Sequence, residues 1–189
     1  SGSGNTAVGY NSLDANTTGY SNTALGTNAG KSITTGNSGV FVGADAGRDS
    51  TGTDSTFVGN GAGYNATGGQ NTCIGSLSGN AITSASGNTF TGYMSGNSTT
   101  TGTKNVGIGY QALEKNTTAS YNTAVGYQAL EETTDGHSNT SVGYEALTSN
   151  TTGDENVAFG NQALKSSTTA GNNSAFGGDA LRSTTTGGN

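Results

Sequence analysis

The sequence predicts an all-β fold, a parallel β-solenoid. Three observations predict it: a strict internal period, a high content of glycine, asparagine and threonine in every unit, and too few large apolar side chains for an ordinary globular core. A glycine that follows a short apolar step recurs at Gly9, Gly26, Gly43, Gly59, Gly75, Gly92, Gly109, Gly126, Gly143, Gly160 and Gly177. The spacing is 17 residues except for two intervals of 16. Taking that glycine as position 5, the unit reads N-T-A-V-G-Y-x-A-L-x-x-N-T-T-G-x-x, nearly intact at 122–130 and 139–153. The eleven copies begin near residues 5, 22, 39, 55, 71, 88, 105, 122, 139, 156 and 173 and make residues 1–189 a single array. The array begins and ends in mid-pattern, the expectation for a piece of a longer protein.

Each unit carries about three glycines and several β-branched or asparagine residues, all poor in helix interiors, so a helical repeat is disfavoured. Strands of about five residues separated by turns fit instead. Seventeen residues at ~3.3 Å give a contour of roughly 56 Å per coil, room for two or three strands. Coils stacked at ~4.8 Å make a rod about 50 Å long. The glycines at positions 5 and 15 are expected to supply positive φ at the corners.

Position 13 is threonine in every copy: Thr17, Thr34, Thr51, Thr67, Thr83, Thr100, Thr117, Thr134, Thr151, Thr168 and Thr185. This constancy predicts a ladder in which each side chain meets its equivalent one coil away. Position 1 is asparagine in nine copies.

Neighbouring strand residues point to opposite faces, yet positions 3 and 4 are both mostly apolar or small. The candidate core and interface residues are Val8, Phe41, Val42, Phe57, Val58, Ile74, Phe90, Val125, Leu130, Leu147 and Leu164. One face can fill the coil; the other needs an apolar neighbour, expected to be identical chains, because a lone thin coil buries little area against its ordering cost. Volume is exchanged between positions 3 and 9. Copies with leucine at position 9 (Leu13, Leu113, Leu130, Leu147, Leu164, Leu181) have a small residue at position 3, whereas Gly47, Gly63 and Gly96 go with Phe41, Phe57 and Phe90. The two positions are therefore expected to share one compartment. Ala24 with Gly30 breaks the exchange and predicts a weak or hydrated coil.

The N-T-A-[VI]-G step followed by Y-x-A-L, clearest at 105–113, 122–130 and 139–147, resembles repeats of bacteriophage tail-fibre proteins. It is also similar to the N-S-V-A-I-G repeat of trimeric autotransporter adhesin heads, which is shorter. The resemblance covers all eleven copies and implies a homotrimer of parallel solenoids, intertwined or side by side, projecting from a virion or a bacterial surface. The copies from Gly39 to Lys104 depart from it by replacing leucine with glycine or shortening the unit.

The formal net charge of -6 offers no surface on which a nucleic-acid backbone could release counterions. No apolar run approaches the ~20 residues of a membrane helix, so membrane insertion is not expected. Cys73 is the single cysteine and stands in a slot filled elsewhere by Ala or Phe, so it is read as a small buried hydrophobe. The segment Gly26-Thr27-Asn28-Ala29-Gly30-Lys31-Ser32 has one residue too few for a phosphate-binding loop and no following helix. His137, the only histidine, is read as a solvated turn residue beside Asp135. Asp45, Asp49 and Asp54 are candidate calcium ligands, although they recur at no fixed position. Tyr10, Tyr93, Tyr110, Tyr127 and Tyr144 share position 6 and are read as packing on the next coil or chain rather than stacking on sugars.

No catalytic residue, cofactor or metal is expected. The functional expectation is a non-enzymatic, extracellular structural or adhesive fibre, a tail-fibre shaft or an adhesin stalk or head. Its partners would be identical chains in a homotrimer or filament, with a cell-surface glycan or protein as receptor. Two alternatives are an ice- or surface-binding solenoid that uses the threonine ladder, and a glycan-processing enzyme, for which no cluster of carboxylates or bases stands out.

Overall fold

A computed structural model describes residues 2–185. The chain winds as a solenoid with one three-residue strand per coil: β1 (Thr6–Val8), β2 (Thr23–Leu25), β3 (Val40–Val42), β4 (Thr56–Val58), β5 (Thr72–Ile74), β6 (Thr89–Thr91), β7 (Val106–Ile108), β8 (Thr123–Val125), β9 (Thr140–Val142), β10 (Val157–Phe159) and β11 (Ser174–Phe176). These form one parallel sheet in sequential order, each residue paired with its equivalent in the next coil. The remaining sides of the coil are turns, and no helix occurs among the described residues.

The strands are shorter and fewer than expected because the chain turns sharply on both sides of each. Position 5 holds φ between 121° and 144° in all eleven copies, a conformation that excludes an L side chain. Each strand therefore stops at position 4. Further corners lie in the left-handed region at position 7, at position 9 and at the last residue of the coil, for example Gln128 (φ 52°), Leu130 (φ 52°) and Ser138 (φ 58°). Leucine does not favour that region. It is held there by burial and by amide bonds to the next coil, such as Leu147 N–H to Ala163 O at 2.9 Å.

The expectation for position 15 is corrected. Gly19, Gly136 and Gly153 do not have positive φ; they mark close approach of successive coils. A Cβ on them would lie 2.3, 2.5 and 2.1 Å from the carbonyl oxygens of Gly36, Gly153 and Ala170.

Backbone hydrogen bonds run from coil to coil on every side, as in Thr6 N–H to Asn22 O at 2.8 Å and Thr151 N–H to Thr168 O at 2.8 Å. A buried asparagine ladder at position 1 adds a second set. Asn122, Asn139, Asn156 and Asn173 each donate their backbone N–H to the Oδ1 of the asparagine one coil earlier, at 2.8–3.1 Å. The side-chain amide of Asn122 then donates to Gly136 O at 2.8 Å and ties the end of its own winding to the start. One side chain thus closes the coil and fixes its register on the next, which explains the recurrence of Asn: a carboxylate has no donor, and the short hydroxyl of Ser55 accepts Asn71 N–H at 3.2 Å but reaches only Thr53 O, two residues back, and does not span its own coil.

The winding is filled by positions 3, 8 and 9. Phe41, Phe57, Phe90, Leu130, Leu147 and Leu164 are fully buried. Positions 3 and 9 do share one compartment: a Cβ on Gly47, Gly63 or Gly96 would stand 2.4–2.5 Å from the ring of Phe41, Phe57 or Phe90. The coil of Ala24 and Gly30 is filled by its neighbours. Phe41 of the next coil and Leu13 of the previous one reach over Gly30, and Ile33 at position 12 is fully buried beside them. Ile82 does the same where Cys73 and Gly79 leave room, its Cδ1 lying 2.8 Å from where a Gly79 Cβ would stand. The volume exchange therefore has three members, positions 3, 9 and 12.

Candidate functional site

The strand pleat divides the candidate core and interface residues into two sets. Position 3 points inward, while position 4 carries Val8, Val42, Val58, Ile74 and Val125 to the outside. The outer column is apolar from end to end apart from Thr91. Val8, Leu25, Ile74, Ile108, Phe159 and Phe176 are between 40% and 71% exposed. Position 2, mostly threonine or valine, shares this face by the two-residue repeat of the strand. The result is a flat strip with parallel rows of β-branched side chains, one rung per coil. Scattered exposed apolar residues are ordinary on a protein surface; a continuous strip is not.

Beside it, the tyrosines at position 6 form a stack. Ring centroids of Tyr93, Tyr110, Tyr127 and Tyr144 are 5.4, 5.1 and 5.3 Å apart, with interplanar angles of 21°, 6° and 11°. The ring faces cover one another, so only edges and hydroxyls are presented along the column, and a sugar has no ring face to stack on between Tyr93 and Tyr144. Packing on the next coil is thus what these residues do; Tyr10 stands apart, 74% exposed.

The position-13 threonines form the expected ladder, with a particular bond. The hydroxyls of Thr17, Thr67, Thr83, Thr100, Thr117, Thr134, Thr151 and Thr168 each donate to the carbonyl oxygen of the threonine one coil on, as in Thr83 to Thr100 at 2.9 Å and Thr117 to Thr134 at 3.0 Å; those of Thr34 and Thr51 do not. From Thr67 to Thr168 the ladder is therefore an edge reinforcement whose hydroxyl protons are already committed.

The phosphate-loop-like segment has no free cradle. The N–H groups of Gly26, Asn28, Gly30 and Ser32 donate to carbonyls of neighbouring coils at 2.8–2.9 Å, and those of Ala29 and Lys31 close local turns. Among the three candidate calcium ligands, Asp45 and Asp49 flank the Arg48 guanidinium, with Nε 3.9 and 4.0 Å from their oxygens. Asp45 also accepts from Asn28 Nδ2 and Asp49 from Ser32 Oγ. Asp54 belongs to a separate corner, the last residue before the β4 coil, and no group of three metal-ligating side chains forms among the described residues.

His137 is half exposed and lies 3.6 Å from Asp135, as the sequence suggested, but it also has a structural bond. Its Nδ1 accepts the Ser120 backbone N–H at 3.1 Å, and Asp154 Oδ1 accepts the N–H of His137 at 2.6 Å. Asn37 performs the same service for Tyr20. His137 is thus one rung in a column of side-chain acceptors. Periodicity of residue type could not reveal that column, because Asn, Ser, His and Asp all serve in it.

Cys73 is fully buried, and burial pushes its thiol far above the ordinary range despite a hydrogen bond with Ser78 that lowers it. Thiolate chemistry is unavailable there. A thiol reagent is accordingly expected to leave the native protein unlabelled at neutral pH and to modify one thiol per chain in denaturant; rapid native labelling would show that the coil opens at β5. Two carboxyls are displaced in opposite senses. The hydrogen bond from Lys165 holds Glu145 below the usual carboxylate range, whereas burial, followed by the charges of Glu132 and Glu114, raises Glu131. They stand at different positions of the coil, 7 and 10, and no enclosed pocket is found among the described residues.

No family model, curated protein or solved structure matches the chain.

Proposed function

We propose that the chain is a segment of an extracellular structural or adhesive fibre, in which three copies associate through the outward strand face and the number of coils sets the length. The observation that carries this reading is the column at position 4, apolar in ten of eleven coils and interrupted only by Thr91, which is exposed or half-buried along a rod whose backbone bonds run coil to coil. A flat, regular, apolar strip matches itself: a second copy in register offers the same rungs at the same spacing, and stable interfaces form from such surfaces when well over ~1,000 Å² is buried. That the copies number three rests on the repeat resemblance. Placement on a virion or a bacterial surface rests on the repeat resemblance alone.

The threonine ladder favours this role over adsorption to ice or another crystal surface, because the hydroxyls of the unbroken run from Thr67 to Thr168 donate to backbone carbonyls and are withdrawn from the surface lattice. The test is the mass in solution. Light scattering on the purified array is expected to give three chains per particle at micromolar concentration. A mass of one chain would overturn the proposal.

A further inference from the structure

The interior of the solenoid is not uniformly apolar. Positions 3, 8 and 9 fill one side with Phe, Leu and Ala, while positions 1, 12 and 15 form a polar seam on the other, where the position-1 asparagines meet the position-15 carbonyls. Five of the six buried side-chain atoms that lack a hydrogen-bond partner belong to position 12: Asn16 Nδ2, Ser50 Oγ, Asn116 Oδ1, Thr133 Oγ1 and Ser167 Oγ. Buried polar groups without partners are rare, and their concentration in one column points to something in that column that supplies the bonds.

Four consecutive coils show what is supplied. Their position-12 residues are Asn116, Thr133, Asn150 and Ser167, all with no exposed surface. Where asparagine stands, its amide reaches the position-15 carbonyl of the same coil: Asn116 Nδ2 to Ala119 O at 3.3 Å, and Asn150 Nδ2 to Gly153 O at 3.0 Å. Asn150 Oδ1 also accepts the Gly153 N–H at 3.1 Å. Thr133 and Ser167 are shorter, and no such bond is made. The carbonyls they would reach, Gly136 O and Ala170 O, each accept one bond, from Asn122 and Asn156 at 2.8 Å, and retain a second lone pair.

We propose that Thr133 and Ser167 are each the anchor of a buried water-binding site, in which one water molecule stands in the place of the asparagine amide and bridges the hydroxyl to the position-15 carbonyl, Gly136 O or Ala170 O. Hydroxyl, carbonyl and neighbouring backbone provide the two to four partners that a permanent internal water requires. In the N-terminal half Ile33, Ala66 and Ile82 take the column, and Ser50 between them has no free position-15 carbonyl to bridge to, because Thr53 O already accepts from Ser55 Oγ at 3.2 Å and from Gln70 N–H at 2.9 Å. The sites lie inside each winding and do not depend on whether the chain is a trimer.

The test compares the native array with the double variant Thr133→Asn, Ser167→Asn, which carries the side chain already accommodated in adjacent coils. Oxygen-17 relaxation dispersion counts long-lived internal waters, and the variant is expected to hold two fewer per chain. An equal count in both proteins would overturn the proposal. Thr133→Val gives an independent measurement. If the hydroxyl anchors a water, the isostere lowers Tm by about 2–4 °C. If the hydroxyl is unpaired, an apolar isostere leaves Tm unchanged or raises it, and that result would also overturn the proposal.

Discussion

Gly126→Ala is expected to melt the coil in which it lies, with a loss of about 2–6 kcal/mol from backbone strain and overpacking together. At φ 141° an alanine is strained whatever the space around it, and its Cβ would stand 2.3 Å from Gly143 O, backbone that is held in turn by the coil above. The alanine can be relieved only by breaking the coil-to-coil bonds around it, including Gly126 N–H to Ile108 O at 2.8 Å. Gly107→Ala is the contrast. It lies at position 3, where several other copies hold alanine, and its new Cβ would meet Ser95 Oγ at 2.8 Å and Phe90 Cδ1 at 3.1 Å, both of them side-chain atoms. Denaturant melts should show a large loss for the first variant and a small one for the second. Equal effects would mean that position 5 is constrained by composition rather than by geometry.

The second large effect concerns assembly. If the position-4 strip is the proposed trimer seam, Val125→Asp combined with Val142→Asp should leave folded single chains in place of trimers. Both side chains point away from the winding and are only partly covered in one chain, so the isolated coil is expected to change by about 1 kcal/mol or less. At a threefold seam, by contrast, each level would bring three carboxylates together away from water, at a cost of several kcal/mol per level. Light scattering should report one chain per particle, with the circular dichroism of the native protein retained. Trimers that survive both charges would place the interface elsewhere. Phe57→Asp separates the two faces: Phe57 is fully buried inside the winding, so that variant should lose the coil itself rather than merely the association.

Much of this was legible in the residues. The period defines the coil, and the inverse sizes of positions 3 and 9 locate the interior compartment, since close packing forces neighbouring volumes to compensate. Pleat alternation requires one of positions 3 and 4 to face outward but does not say which. Other features were hidden for physical reasons. Leucine is a poor marker of left-handed backbone, so the corners at Leu113, Leu130 and Leu147 gave no turn signal. Position 12 holds Ile, Ala, Ser, Thr and Asn in different coils, and a column that is apolar in one half and polar in the other resembles noise when copies are averaged. For that reason the repeat pattern does not reveal that Ile33 and Ile82 fill the coils in which positions 3 and 9 are small. The glycines of position 15 looked like turn residues because crowding by the next coil selects the same residue as positive φ does.

The asparagine ladder has a mechanical consequence. Its bonds and the backbone bonds lie along the rod, so an axial pull is shared at each level among all the rungs around the perimeter, and the level with fewest rungs yields first. Gly39 has no side chain with which to accept the next coil's N–H, its place in the winding being taken by the ring of Phe41. Under tension the asparagine column carries nothing between the windings of β3 and β4, and the load there passes to the backbone rungs, such as Val40 N–H to Ser55 O at 2.9 Å and Gly59 N–H to Val42 O at 2.8 Å.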